Sequence, residues 1–404
     1  MQPMRANGLP HLGAMLLACG VALLVLLAGR VLAVYREAEN IAAVAPELFP
    51  IKNQGLAFQR LAARTNGVLP LYGSSELLGP AGARASDFFS TTPTGFQVSP
   101  VGKAGATALI TLEKLGALAG EFRGRKVVIS ISSAYFASGI TSYWYEGNFS
   151  PFAVSELTFG NEFDRALKRD IAVRLLHFPH TLEKIPVTEF ALQRLAAGTL
   201  LDDLGFYLVW PLGMLENLIL DLQDHFAALS YLRREHKRAP ARLPQAIDWS
   251  TLIANADNAV ARSEEPNAST VGSQKQPLPG SADAWFKTRM NRASEWKDFE
   301  LLLRSLAQIH AKPLLINMPL DGCFYDRGGV SAAARREYYD RVEALAARYH
   351  FALVNFQEHD EDARFLAAQP PDLRQVPSAH LSAKGWMYYN RVLDAFYHDR
   401  LPQS

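Results

Sequence analysis

The feature that most constrains this chain is a run of 18 residues without a charge, Leu12 to Gly29, reading LGAMLLACGVALLVLLAG. After Arg30 the apolar pattern resumes through Val31-Leu32-Ala33-Val34-Tyr35. A bilayer core needs about 20 apolar residues as helix. The run therefore predicts a membrane span, with the Arg30 side chain snorkelling toward the far interface. A cleaved signal peptide has a shorter apolar region and a small-residue cleavage site. Ala28-Gly29-Arg30 and Val31-Leu32-Ala33 are poor sites of that kind. Arg5 precedes the run, so the positive-inside rule keeps the short N-terminal stub cytoplasmic. The expected organisation is an anchor over 1–36 in the cytoplasmic (inner) membrane and one extracytoplasmic domain over 37–404.

The remainder has the composition of a folded domain. Across 404 residues the chain is 49% hydrophobic and 20% charged, which excludes wholesale disorder. A net charge of +1 leaves no global basic field, so nucleic acid is not an expected partner. Two cysteines, Cys19 and Cys323, build neither a disulfide framework nor a Cys-rich zinc site. There is no His-Glu-x-x-His pair, dinucleotide glycine loop or P-loop, so no metal or cofactor is expected.

Strand–turn–helix order then repeats. Val68–Tyr72, residues 95–101 and Lys126–Ser132 read as strands, with a helix from Ala106 to about Phe122. Lys312–Met318 and Phe351–Phe356 read as two more, followed by helices over Ser331–Tyr349 and Ala383–His398. This predicts an α/β fold with a parallel sheet flanked by helices. A helical insertion over about 150–290 separates the two halves of the sheet. Within it Leu200–Leu222 is strongly apolar, but Asp202, Asp203, Glu216 and Pro211 argue against a second span. A helix against the membrane or a membrane partner and an ordinary buried helix pair both fit. The basic cluster Arg233–Arg238 reads as a solvated face, with an anionic-lipid contact as the other reading, and 262–283 reads as a loop.

Three places could carry chemistry. Gly73-Ser74-Ser75-Glu76 follows a strand and opens a helix, at the carboxyl edge where parallel sheets bind ligands. A helix start there offers N–H groups to an oxyanion, though simple N-capping uses the same residues. Gly102-x-x-Gly105 allows close backbone approach, and an N–H at that turn could complete an oxyanion site. His380, in a loop before the closing helix, is the strongest candidate base.

In order and spacing these pieces resemble the family of D-alanine transfer proteins, DltD, of lipoteichoic acid D-alanylation. That family is itself similar to the SGNH (GDSL-like) serine hydrolases. The resemblance rests on the N-terminal anchor, Tyr72-Gly73-Ser74-Ser75-Glu76-Leu77, the Gly102–Gly105 turn and Ser132-Ser133-Ala134-Tyr135-Phe136. It continues through Ser294-Glu295-Trp296, Met318–Asp326, Tyr338-Tyr339-Asp340 and His380-Leu381 with Lys384-Gly385-Trp386. It implies an SGNH-like sheet, Ser75 as nucleophile, His380 as general base, and the Ser75 and Gly105 N–H groups at the oxyanion. It also implies acyl (D-alanyl) transfer from an acyl donor to a cell-envelope glycan, glycolipid or teichoic acid, with a membrane-bound O-acyltransferase (DltB-like) as partner. Leu200–Leu222 is the surface on which that contact would be tested.

Two departures stand out. The hydrolase pattern puts an aspartate three residues before the histidine, where this chain has Pro377. Asp372 is the favoured substitute, with Glu358, Asp360 and Asp321 as others; a Ser-His dyad or an impaired site are the alternatives. Relatives often carry a polar or proline-containing turn that finishes the oxyanion site after the third strand; this chain has Ser132-Ser133-Ala134 there, with Ser133 as the candidate donor. The missing acid leaves two other readings open, a non-catalytic scaffold for the acyltransferase and an envelope esterase or thioesterase.

Overall fold

The apolar run folds as α1, Pro10–Val44, one helix of 35 residues. A computed structural model of the chain describes residues 10–234, 244–263, 277–369 and 376–401. Residues 11–28 are exposed along the whole helix surface. Among the described residues, α1 is the one helix long and apolar enough to cross a membrane. It fits single-pass anchoring. The helix does not stop at residue 36. Its last turns enter the folded body, where Ile41 and Val44 pack with Phe49, Phe58 and Ala228.

The sheet has five strands: β1 (Val68–Tyr72), β2 (Gln97–Val101), β3 (Lys126–Ile131), β4 (Lys312–Asn317) and β5 (Ala352–Asn355). All pairs are parallel, in the order β2-β1-β3-β4-β5. Parallel strands covered on both faces are read as near-continuous apolar runs. β3, KVVISI, is such a run. Its Val127, Ile129 and Ile131 enter one core, with α2 (Ala108–Ala117) and the helical insertion. Val128 enters the other core, with Leu314, Ile316, Leu381 and Trp386. The chain leaves β1 for β2 and returns past β1 to β3. That reversal opens a crevice at the carboxyl ends of β1 and β3, where open α/β sheets bind ligands.

The insertion is helical, as expected, but its apolar segment is not a helix pair. It is one helix, α3 (Leu200–Leu232), 33 residues running through Pro211. Thr199 and Asp202 close its N-terminus with a reciprocal capping box. This cap gives Asp202, one of the acids that argue against a second span, a structural role. The helix expected from Ala106 to about Phe122 breaks at Leu118 and resumes as Ala119–Phe122. The second half is completed by α4 (Glu295–Gln308), α5 (Ala332–Arg348) and α6 (Ala383–Tyr397). The expected loop over 262–283 begins at the end of a helix, Trp249–Ser263. Residues 264–276 of it, and 235–238 of the basic cluster, lie outside the described residues.

Candidate active site

The site begins where β1 ends. The Gly73 N–H donates to Val101 O (3.1 Å), so pairing with β2 continues one residue past the strand. Gly102 lies against this turn: a Cβ there would sit 2.3 Å from Gly73 O. Neither backbone segment can yield without moving the two serines. Gly102→Ala is therefore expected to destabilise the protein by about 1–3 kcal/mol. It should also lower any Ser75-dependent rate, measured alongside thermal unfolding of the same sample.

Ser75–Leu77 form only a three-residue 3-10 turn, not the start of an α-helix. The chain then runs through Gly79, whose Cβ would meet Trp386 Nε1 at 2.1 Å, and Pro80, so a longer helix has no room. The turn therefore offers individual N–H groups and no helix dipole.

The two serines have different fates. Ser74 is buried. Its Oγ lies 3.0 Å from Lys103 O and 2.7 Å from the Tyr135 hydroxyl. The Gly105 N–H donates to that same hydroxyl (2.9 Å). The donors therefore run one way: Gly105 N–H to Tyr135, Tyr135 O–H to Ser74, Ser74 O–H to Lys103 O. Ser75 is half-buried. Neither its hydroxyl nor its N–H has a hydrogen-bond partner among the described residues. Ser74 is structural by this geometry, and Ser75 is the serine left free.

Tyr135 was not singled out from the sequence, although it stands in the quoted Ser132–Phe136 stretch. It reaches the turn that Ser133 was expected to reach. Ser133 is buried, and its carbonyl accepts from the Phe136 N–H (3.2 Å). The Gly105 N–H, expected at an oxyanion, is thus already engaged by the Tyr135 hydroxyl. Above it, Trp144 covers Gly105, whose Cβ would meet the indole ring at 2.4 Å.

His380 sits at the same edge of the sheet. The Ser378 N–H donates to Asp321 Oδ2 (2.9 Å), and Asp321 itself follows β4. Leu381 bridges to Leu366 and packs in the same core as Leu77. The His380 carbonyl accepts from the Ala367 N–H (2.7 Å). Its Nε2 is buried with no partner. Burial holds the imidazole below its usual value of 6.5, which favours the neutral, proton-accepting form at pH 7. No hydrogen bond joins Ser75 to His380 among the described residues.

The expected acids fall out differently. Asp372 lies outside the described residues. Asp360 accepts from Arg335 and Tyr339, and Glu358 lies beside His359 (3.4 Å). Asp321 holds the histidine loop by its backbone rather than by the imidazole. Among the described residues there is also no group of three or more His, Cys, Asp or Glu able to hold a metal ion.

Two buried carboxyls stand behind the serine turn. Glu76 Oε1 accepts the Ser74 N–H (2.7 Å), and Glu295, at the start of α4, accepts the Ala108 N–H (2.8 Å). Burial pushes Glu76 up to about 7 and Glu295 up to about 8. Both line a cavity of about 20 Å³ with Thr107, Ser130 and Tyr135, room for about one water molecule. A carboxyl whose folded value is raised binds its proton more tightly folded than unfolded. Its stabilising effect is complete below the unfolded value and is lost as pH rises toward the folded one. Stability is expected to fall between about pH 4.5 and 8, by ~3 kcal/mol for a fully buried group like Glu76. Glu76→Gln should flatten that slope in chemical denaturation at several pH values.

With this geometry in place, comparison with known proteins decides the family. A family model described as "DltD protein" matches residues 45–398. The chain belongs to the DltD family. The match starts where α1 ends and closes one residue beyond α6, so it includes both the serine turn and His380. A curated relative, protein DltD of Bacillus subtilis (strain 168), is 25% identical over 377 residues, covering 90% of this chain and 89% of the relative. Protein DltD of Staphylococcus aureus (strain NCTC 8325 / PS 47) is 21% identical over 350 residues, 84% of this chain and 83% of its own. The match therefore runs over most of each chain rather than through one shared segment.

Proposed function

We propose that this protein carries acyl groups, D-alanyl by its family, onto a teichoic acid or related envelope polymer through a Ser75–His380 site. One observation supports the reading most: of two adjacent serines at the carboxyl edge of β1, Ser74 is tied into a hydrogen-bond chain and Ser75 is free. The orphaned His380 Nε2, neutral at pH 7, supplies the base.

In the proposed mechanism Ser75 Oγ attacks the carbonyl carbon of an activated acyl ester or thioester while His380 Nε2 takes its proton. The oxyanion is met by the Ser75 N–H, and by the Gly105 N–H once Tyr135 turns away. Collapse breaks the bond to the leaving group, which departs with the proton from His380. The acyl-serine is then attacked by an acceptor hydroxyl, whose proton His380 takes and returns to Ser75. With no described carboxylate acting on the imidazole, the pair works as a dyad. The fold is read as SGNH-like, the bulk of the chain as extracytoplasmic, and a membrane-bound O-acyltransferase as the source of the acyl group.

A scaffold is the second reading. It is favoured by the missing acid at Pro377 and by the absence of a Ser75–His380 hydrogen bond. Mass analysis of the full chain, reconstituted with acyl donor and quenched in acid, separates the two. The transfer reading predicts an acyl adduct on the Ser75 peptide that acceptor polymer discharges. A chain that supports transfer in membranes yet never carries the adduct is a scaffold. Discharge to water in preference to the acceptor marks an esterase.

A further inference from the structure

α3 is built inside out. Its acidic residues and its histidine are Asp202, Asp203, Glu216, Asp221, Asp224 and His225, and each meets a partner from the protein. Asp202 pairs with Arg194 (2.9 Å) and Asp203 with Arg165. Glu216 accepts from Thr188 (2.7 Å), and Asp224 accepts the Leu56 and Ala57 N–H groups (2.7 Å each). His225 meets Glu37 of α1 (2.8 Å). The opposite face carries Leu200, Leu201, Leu204, Tyr207, Leu208, Pro211, Leu212, Met214, Leu215 and Ile219. These are all the exposed residues from 200 to 219, and none is charged. Leu200 is 88% exposed and Leu208 72%. A helix in water has the reverse polarity.

The level at which this face ends is set by α1. Arg30, the first charge after the uncharged run, pairs with Asp221 (2.5 Å), and Gly29 lies against Phe226. N-terminal to this junction both helices expose apolar side chains. Beyond it α1 still exposes Val31, Leu32, Val34 and Tyr35 before Arg36 and Glu39 appear, and α3 exposes Gln223, Phe226 and Ser230. Two helices that both lose their uncharged outer face close to one shared ion pair, α3 just after it and α1 at Arg36, is what a common bilayer boundary produces. From these observations we infer that the outer face of α3, Leu200 to Ile219, is embedded in lipid of the leaflet next to the Arg30–Asp221 junction, making the protein partly monotopic as well as anchored. Lipid suits a long stripe without a charge or hydrogen-bond donor beyond one Tyr; protein interfaces carry a polar rim and Arg or aromatic anchors. The capped, ion-paired start of α3 keeps it from crossing. The inference depends on α1 lying in the bilayer and is independent of the Ser75 chemistry.

The test uses the full chain with Cys19→Ala and Cys323→Ser, reconstituted alone into liposomes. Single cysteines carrying a nitroxide are placed at Leu204, Leu208, Leu212 and Leu215, with Val25 as the α1 control and Gln223 beyond the boundary. Collision with oxygen, which partitions into lipid, is compared with collision with a water-soluble nickel chelate. The expected result is a several-fold higher oxygen-to-nickel ratio at Val25 and all four α3 sites than at Gln223. Nickel access at the α3 sites with Val25 in lipid overturns the inference, and nickel access at Val25 overturns it through its premise. Shielding of the α3 sites only when a membrane acyltransferase is co-reconstituted also overturns it, and assigns the face to that protein.

Discussion

Ser75→Ala is expected to reduce acyl transfer by on the order of 10⁴-fold or more, because the covalent step loses its attacking atom. Ser74→Ala gives the necessary contrast. Its hydroxyl already serves Lys103 O and Tyr135, so its removal disturbs the turn without removing the attacking atom. A loss of about tenfold, with a small drop in stability, is expected for that variant. Comparing the two under saturating donor, with thermal unfolding as a control, separates chemistry from folding. Equal losses in both variants would mean that the turn as a whole matters and Ser75 has no special part.

The second large effect concerns His380. Its imidazole is held below the ordinary 6.5 by burial, and no described carboxylate counteracts this. The active form is neutral, so the rate is expected to rise with pH through a value below 6.5 and stay flat above it. Removing the ring as His380→Ala should cost on the order of 10³-fold on that plateau. Added imidazole, small enough to enter the vacated space, should restore part of it. A wild-type limb lying above 6.5 would point to an unseen carboxylate holding the imidazolium, with Asp372 the first residue to replace.

The separation of roles between Ser74 and Ser75 was not legible in the sequence. Both stand in the same four-residue stretch, and either could cap a helix. What distinguishes them is a partner 61 positions away, Tyr135, delivered by the crossover from β1 through β2 to β3. The α/β alternation, the five strands and the helical insertion were readable because their hydrophobic periods are local. β3 and β4 are continuous apolar runs that suit no solvent-facing element. α3 was readable as apolar and helical but not as inside out. Its acids argued only against a second span; that Arg30, Arg165 and Arg194, from three other segments, pair with Asp221, Asp203 and Asp202 is not readable locally. Glu76 looked like ordinary helix-start chemistry. Its burial beside Glu295 depends on α4, more than 200 residues further along the chain.

The central claim is that Ser75 is a nucleophile activated by His380. Labelling the full-length protein with a fluorophosphonate serine probe, followed by mass mapping, tests it most directly. The account predicts modification at Ser75, its absence in Ser75→Ala and His380→Ala, and its persistence in Ser74→Ala. Modification that lands on Ser74, or that proceeds equally well without His380, would contradict it.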